Sequence, residues 1–176
     1  MTNGSVDRST GTPLAPILVV GLGNPLLADD GLGLRLLSML ADSEKHAVTL
    51  VEYLDGGTQG IALLGRLSGR EAILFLDAIS RGDPPGTVHR LDAAQIFGQG
   101  KKAINTAHEG GVAEILRTMT LTNDVPKHVA AIGIEPKVLS SRVGLSPRVE
   151  SSLPTALDQS RTALLDLIAW HEGERR

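Results

Sequence analysis

The chain contains no cysteine among its 176 residues. That removes a thiol nucleophile, a thiolate metal site and any disulfide framework, and it agrees with a cytoplasmic setting. Aromatic residues are almost as scarce. Tyr53, Phe75, Phe97 and Trp170 are the whole set, so the core is aliphatic, and their scarcity argues against stacking on bases or sugars. Net charge is only −3, with no basic run, which argues against a nucleic-acid footprint and a polybasic membrane anchor. No apolar run approaches the roughly 20 residues that a spanning helix needs. Residues 1–15 are polar and small, without the basic start and apolar block of a signal peptide, and read as a disordered leader.

Several named chemistries are missing as well. There is no Gly-x-Ser-x-Gly elbow and no Walker-type phosphate loop. His108-Glu109-Gly110-Gly111-Val112 begins like a zinc-protease helix, but Val112 stands where the second histidine is required. The turn from Gly21 to Leu26 lacks the third glycine of a dinucleotide fingerprint, and Asp29 and Asp30 would repel a pyrophosphate seated there.

What is present is 41% hydrophobic and long enough for one domain with a proper core, over residues 16–170, followed by a frayed tail at 171–176. The chain is organised around residues 17–33. Ile17-Leu18-Val19-Val20 suits a strand buried on both faces, as in a parallel sheet. Gly21 and Gly23 end it, and Asp29 and Asp30 open a helix whose apolar stripe is Gly33, Leu36, Leu37 and Leu40. Read locally, Asp29 is a helix cap. Residues 48–54 repeat the grammar and end in Asp55-Gly56-Gly57-Thr58, while residues 72–76 form a third buried strand with Asp77 directly after it. Residues 87–91 alternate and follow a short Pro/Gly turn, the mark of an antiparallel strand near an edge. Asn105-Thr106-Ala107-His108 leads a helix with Val112, Ile115, Leu116 and Met119 inside. A fifth strand spans residues 129–134. The last helix starts at Ser146-Pro147, and Pro154 is expected to kink it.

In open α/β sheets, ligands collect outside the carboxyl ends of the parallel strands. Asp30, Asp55 and Asp77 all follow strands, so the reading puts three carboxylates on one rim. One such acid is an ordinary cap or turn residue. Three converging ones repel unless a cation, a proton or hydrogen bonds compensate them. His108, near a helix start, offers an imidazole. Two carboxylates and one histidine suit a first-row divalent metal such as zinc or nickel and leave positions open for a substrate. His46, His89, His128 and His171 read as structural or solvated.

Gly21-Leu22-Gly23-Asn24-Pro25-Leu26-Leu27-Ala28-Asp29-Asp30-Gly31-Leu32-Gly33, Asp55-Gly56-Gly57-Thr58, Leu76-Asp77-Ala78 and the helix-leading His108 together resemble the [NiFe]-hydrogenase maturation proteases. Gly133-Ile134-Glu135-Pro136 and Gly144-Leu145-Ser146-Pro147 resemble later segments of the same family, so the likeness covers residues 17–168. It implies a three-layer α/β/α fold of the phosphorylase/hydrolase-like kind, with a mixed, mostly parallel five-stranded sheet. The implied activity is that of an endopeptidase that removes the C-terminal extension of the hydrogenase large-subunit precursor after nickel insertion. The resemblance makes Asp30, Asp77 and His108 the nickel-binding residues, with nickel carried by the precursor and zinc or cadmium as surrogates. Asp30 and Asp77 are then also catalytic candidates of an aspartyl endopeptidase-type site. Some members have glutamate at the position of Asp30, a difference of one methylene, about 1.5 Å. Asp55, whose following glycines permit close backbone approach, is the candidate for substrate positioning or general base. The expected partner is the precursor alone, with no nucleic acid or membrane and a monomeric protein. An alternative is a checkpoint or chaperone that inspects the precursor's nickel site without cutting.

Overall fold

The computed structural model describes residues 14–43, 50–98, 105–106 and 111–175. Strand β1 (Ile17–Leu22) is buried along its whole length, which its unbroken aliphatic run requires of a central parallel strand. A 3-10 turn (Ala28–Gly31) and helix α1 (Leu32–Ser43) lead to β2 (Val51–Gly57). Helix α2 (Leu64–Leu67), strand β3 (Ala72–Ser80), strand β4 (Val88–Asp92) and helix α3 (Ala93–Ile96) follow. Then come β5 (Asn105–Thr106), α4 (Val112–Leu121), β6 (His128–Ile134), α5 (Pro147–Glu150) and α6 (Leu153–Glu174).

The sheet runs β2-β1-β3-β6-β4, with β4 antiparallel at one edge and the other neighbours parallel. This is the expected mixed five-stranded sheet in an α/β fold. Strand β5 adds one short antiparallel pairing, to Ile79 and Ser80 at the far end of β3. Strand alternation divides the core into two layers. Ile17, Val19, Leu74, Leu76, Ile132 and Ile134 pack under α1 and α6, whereas Leu18, Val20, Phe75, Ile79 and Ala131 pack under α2, α3 and α4. Among the described residues, no helix is long and apolar enough to cross a membrane.

Three local expectations differ from what is found. Pro154 does not kink a helix. It lies in the first turn of α6, after a break that ends α5 at Glu150, a position where its missing N–H costs nothing. Residues 171–174 do not fray, because α6 continues through Glu174 with His171 buried and its Nδ1 2.9 Å from Glu71 Oε2. Both β2 and β3 run past the points where the apolar pattern stops, so Asp55 and Asp77 lie inside strands rather than after them.

A buried arginine fastens the opposite, amino end of the sheet. Arg70 donates to Glu52 Oε2 at 2.6 Å, to the Ala15 carbonyl at 2.7 Å and to the Arg66 carbonyl at 3.2 Å, while Arg66 takes the other oxygen of Glu52 at 2.6 Å. Burial pushes the Glu52 carboxyl up, but the Arg70 and Arg66 guanidiniums outweigh it and hold the group below its ordinary value of 4.5. A carboxyl lowered on folding stabilises fully above its unfolded pKa, and that stability is lost as pH falls through the folded value. Urea unfolding of the parent and of Glu52→Gln should therefore differ at pH 7 and converge as pH drops below about 4.5. A gap that stays constant across that window would show that the ion pairs do not carry the effect.

Candidate functional site

The connection after β1 leaves along α1 on one face of the sheet, and the connection before β3 arrives along α2 on the other. With β2 and β3 on either side of β1, the chain reverses direction between β1 and β3. Such a switch point is where open α/β sheets bind ligands. The pairing of β1 with β3 ends at Gly21↔Leu76, so Asp77 is the first residue of β3 beyond it. Asp30 lies in the 3-10 turn above the end of β1. Both are buried, at 1% and 0% exposure. Asp30 thus follows the end of β1, and Asp77 lies one residue past the last pairing of β3 with β1.

Glycines make this approach possible. A Cβ on Gly33, in the first turn of α1, would lie 2.3 Å from the carbonyl oxygens of both Leu22 and Leu76. No side chain fits there, so α1 starts directly on the two strand ends. Gly23 has φ +117°, and a Cβ on it would come within 1.8 Å of the Asp30 carbonyl oxygen. The turn folds back on itself there, and the Asn24 N–H donates to Asp30 Oδ2 at 2.8 Å. The Asp77 Oδ1 accepts from the Ala78 N–H at 2.7 Å.

Asp29 proves to be a different kind of residue from a helix cap. It lies inside the 3-10 turn, whose N-cap position is Leu27. Its buried carboxylate instead accepts from the N–H groups of Lys137, Val138 and Ser146 at 2.9, 2.8 and 2.6 Å, and from the Ser146 hydroxyl at 2.9 Å. The two segments are also joined through their backbones. Arg142 N–H donates to the Leu26 carbonyl at 3.0 Å, Ala28 N–H to Arg142 at 2.7 Å and Asp29 N–H to Val138 at 3.1 Å. Ala28 is held at φ +51°, a left-handed conformation that costs a non-glycine residue about 1–2 kcal/mol. The clamp fixes that strained residue, and with it the direction in which Asp30 leaves the chain.

Asp55 lies on edge strand β2, exposed, in register with Gly21. Strand β1 separates it from Asp77. His108 lies outside the described residues, so its position relative to the two acids is not part of the geometry above. Asp77, Gly133 and His89 form one row across β3, β6 and β4. By strand alternation that row faces the layer under α4, the helix that begins four residues after His108.

Glu135 and His89 carry more structure than the sequence suggested. The buried Glu135 carboxylate accepts from the N–H groups of Arg81 and Gly82 at 2.8 and 3.1 Å, bracing the turn that follows β3. His89 Nε2 lies 3.3 Å from Glu135 Oε2 and 3.9 Å from Asp83 Oδ2. Among the described residues these three side chains are the group whose donor atoms lie close enough to hold an ion, within 4.8 Å of one another. His89 is therefore a partly buried member of a hydrogen-bonded network, the structural of the two roles read for it.

The model of one family, described as hydrogenase maturation protease, matches residues 35–162. The chain is 36% identical over 149 residues to the Hydrogenase 2 maturation protease of Escherichia coli K12, spanning 84% of this chain and 90% of that one. The chain belongs to the hydrogenase maturation proteases. It is also 36% identical over 158 residues to the hydrogenase expression/formation protein HupD of Rhodobacter capsulatus, covering 88% and 72% of the two chains. Among solved structures, the hydrogenase maturating endopeptidase HybD of E. coli superposes with a TM-score of 0.74 at 33% identity, over 85% of this chain and 92% of that one. The [NiFe] hydrogenase maturation protease HybD of Thermococcus kodakarensis gives 0.68 at 29% identity, over 84% and 97%. The crevice between β1 and β3 is accordingly the candidate active site of a protease. Sequence reasoning missed the clamp around Asp29 and the brace at Glu135. The available signal was Glu135-Pro136 directly after a strand.

Proposed function

We propose that this protease removes the C-terminal extension of the [NiFe]-hydrogenase large-subunit precursor once nickel has been inserted, and that Asp30, Asp77 and His108 read the metal. The observation that carries the reading is the placement of two buried carboxylates, Asp30 just after β1 and Asp77 just past the β1 pairing of β3, at the β1/β3 switch point. Anionic groups held together in a low-dielectric site repel, and a divalent cation relieves that repulsion. Helix α4 supports the third ligand, since it covers the face on which Asp77 lies and starts just after His108.

In this proposal nickel belongs to the substrate. The protein contributes an incomplete donor set, so the precursor is held productively only when its metal site is filled. Bound there, nickel supplies charge for recognition and polarises a nearby carbonyl. Asp55 is exposed at the edge of the same rim and followed by two glycines, which suits positioning of the extended precursor or acceptance of a proton from attacking water. Zinc or cadmium would occupy the same donors as surrogates.

Intact-mass spectrometry of the large-subunit precursor tests the reading. Nickel-loaded precursor should lose a single C-terminal fragment when the protease is added, and nickel-free precursor should not. Cleavage of both forms at one rate would remove nickel from the account, while capture of the loaded form without any mass loss would favour a non-cutting checkpoint.

A further inference from the structure

An endopeptidase must hold the polypeptide on at least one side of the bond it cuts, and the clamp described above offers a surface for this. Leu26, Leu139 and Val143 are 63%, 46% and 77% exposed. All three lie on the two segments joined through Asp29 and Arg142: the Leu26 carbonyl accepts from the Arg142 N–H, and Leu139 and Val143 immediately follow Val138 and Arg142. Scattered exposed leucines need no explanation, but these three lie on two backbone-paired segments, next in the chain to a candidate catalytic acid. The charged residues on the stretch paired with residues 26–29 are basic: residues 136–146 hold Lys137 and Arg142, with the buried Glu135 before them and Arg148 and the exposed Glu150 after. Arg148 is engaged with the Pro85 carbonyl at 2.9 Å, while Lys137 and Arg142 are exposed.

We infer that Leu26, Leu139 and Val143, flanked by Lys137 and Arg142, are the docking lip for the precursor segment beside the scissile bond, and that this segment presents apolar side chains together with carboxylates. The inference rests on the protease reading above and adds where the substrate lies and what chemistry it carries. Rigidity favours the assignment. The lip is fastened to the buried Asp29 carboxylate, adjacent in the chain to Asp30, so a peptide held there is positioned relative to the metal-reading acids at little entropic cost.

The test compares the parent with Leu26→Asn/Leu139→Asn/Val143→Asn and, separately, with Lys137→Glu/Arg142→Glu. Each is assayed for processing of nickel-loaded precursor and for its capture on immobilised protease in the cold, before turnover. The apolar variant should raise the half-saturating precursor concentration at least tenfold, with the maximal rate changed less than threefold and the melting temperature unchanged. The charge-reversed variant should weaken capture and reduce its sensitivity to salt. Parental half-saturation and capture in both variants would overturn the inference while leaving the protease reading intact. If the parent captures precursor but never cuts it, that reading fails and the lip is judged on capture alone. A parent that neither captures nor cuts overturns both.

Discussion

Replacing Asp77 by asparagine should lower precursor processing at least a hundredfold and leave the melting temperature within about 3 °C of the parent. Groups that only orient a metal ligand cost 10–100-fold when changed, so loss of a ligand's charge should cost no less. The fold has reason to tolerate the change. Asn keeps the oxygen that accepts the Ala78 N–H at 2.7 Å and matches the carboxyl in size at this buried position. Thermal unfolding and a processing assay on the same preparation separate the outcomes. A large drop in melting temperature with residual activity in proportion to folded protein would make Asp77 a structural acid. Parental processing would remove it from the site.

Asp29, the adjacent acid of the motif, should behave in the opposite way. Asp29→Ala strands the Lys137, Val138 and Ser146 N–H groups and the Ser146 hydroxyl. Each lost acceptor costs about 1–3 kcal/mol where water cannot replace it. Allowing for water entry and relaxation of the loop, a total of about 3–5 kcal/mol is expected, equivalent to roughly 10 °C in a domain of this size. Asp29→Asn should lose less, since one oxygen survives, but its amide would face N–H donors. Hydrogen exchange should localise the damage to residues 137–146. An Asp29→Ala protein that melts with the parent would mean that the backbone pairing of Leu26 and Ala28 with Arg142 holds the clamp alone.

The contrast between these neighbours shows what the sequence could convey. Local pattern was sufficient for β1, for the apolar stripe of α1 and for the antiparallel edge strand β4, because each depends on periodicity within a few residues. It also set Asp30, Asp55 and Asp77 close behind the apolar runs of β1, β2 and β3, although Asp55 and Asp77 lie within their strands rather than after them. What it could not convey was pairing across the chain. Asp29 looks like a cap because its partner Ser146 lies 117 positions away, and His171 looks like part of a frayed end because Glu71 lies 100 positions away. Asp77 appeared to end its strand because a charge interrupts the apolar run. The ladder nevertheless continues with β6 through Ala78↔Ile134, and the backbone has no reason to stop where the side chain becomes polar. Glu135 was passed over for a related reason. Its two backbone donors, Arg81 and Gly82, lie more than fifty residues earlier, and only the fold brings them to one carboxylate.

Anomalous diffraction from crystals of the parent soaked in zinc or cadmium measures directly where a divalent ion is held. The proposal predicts a peak bound by the carboxylates of Asp30 and Asp77 and the imidazole of His108, at about 2.0–2.2 Å for zinc, and absent in Asp77→Asn. An ion found only among Asp83, His89 and Glu135, with the β1/β3 crevice empty, would contradict it.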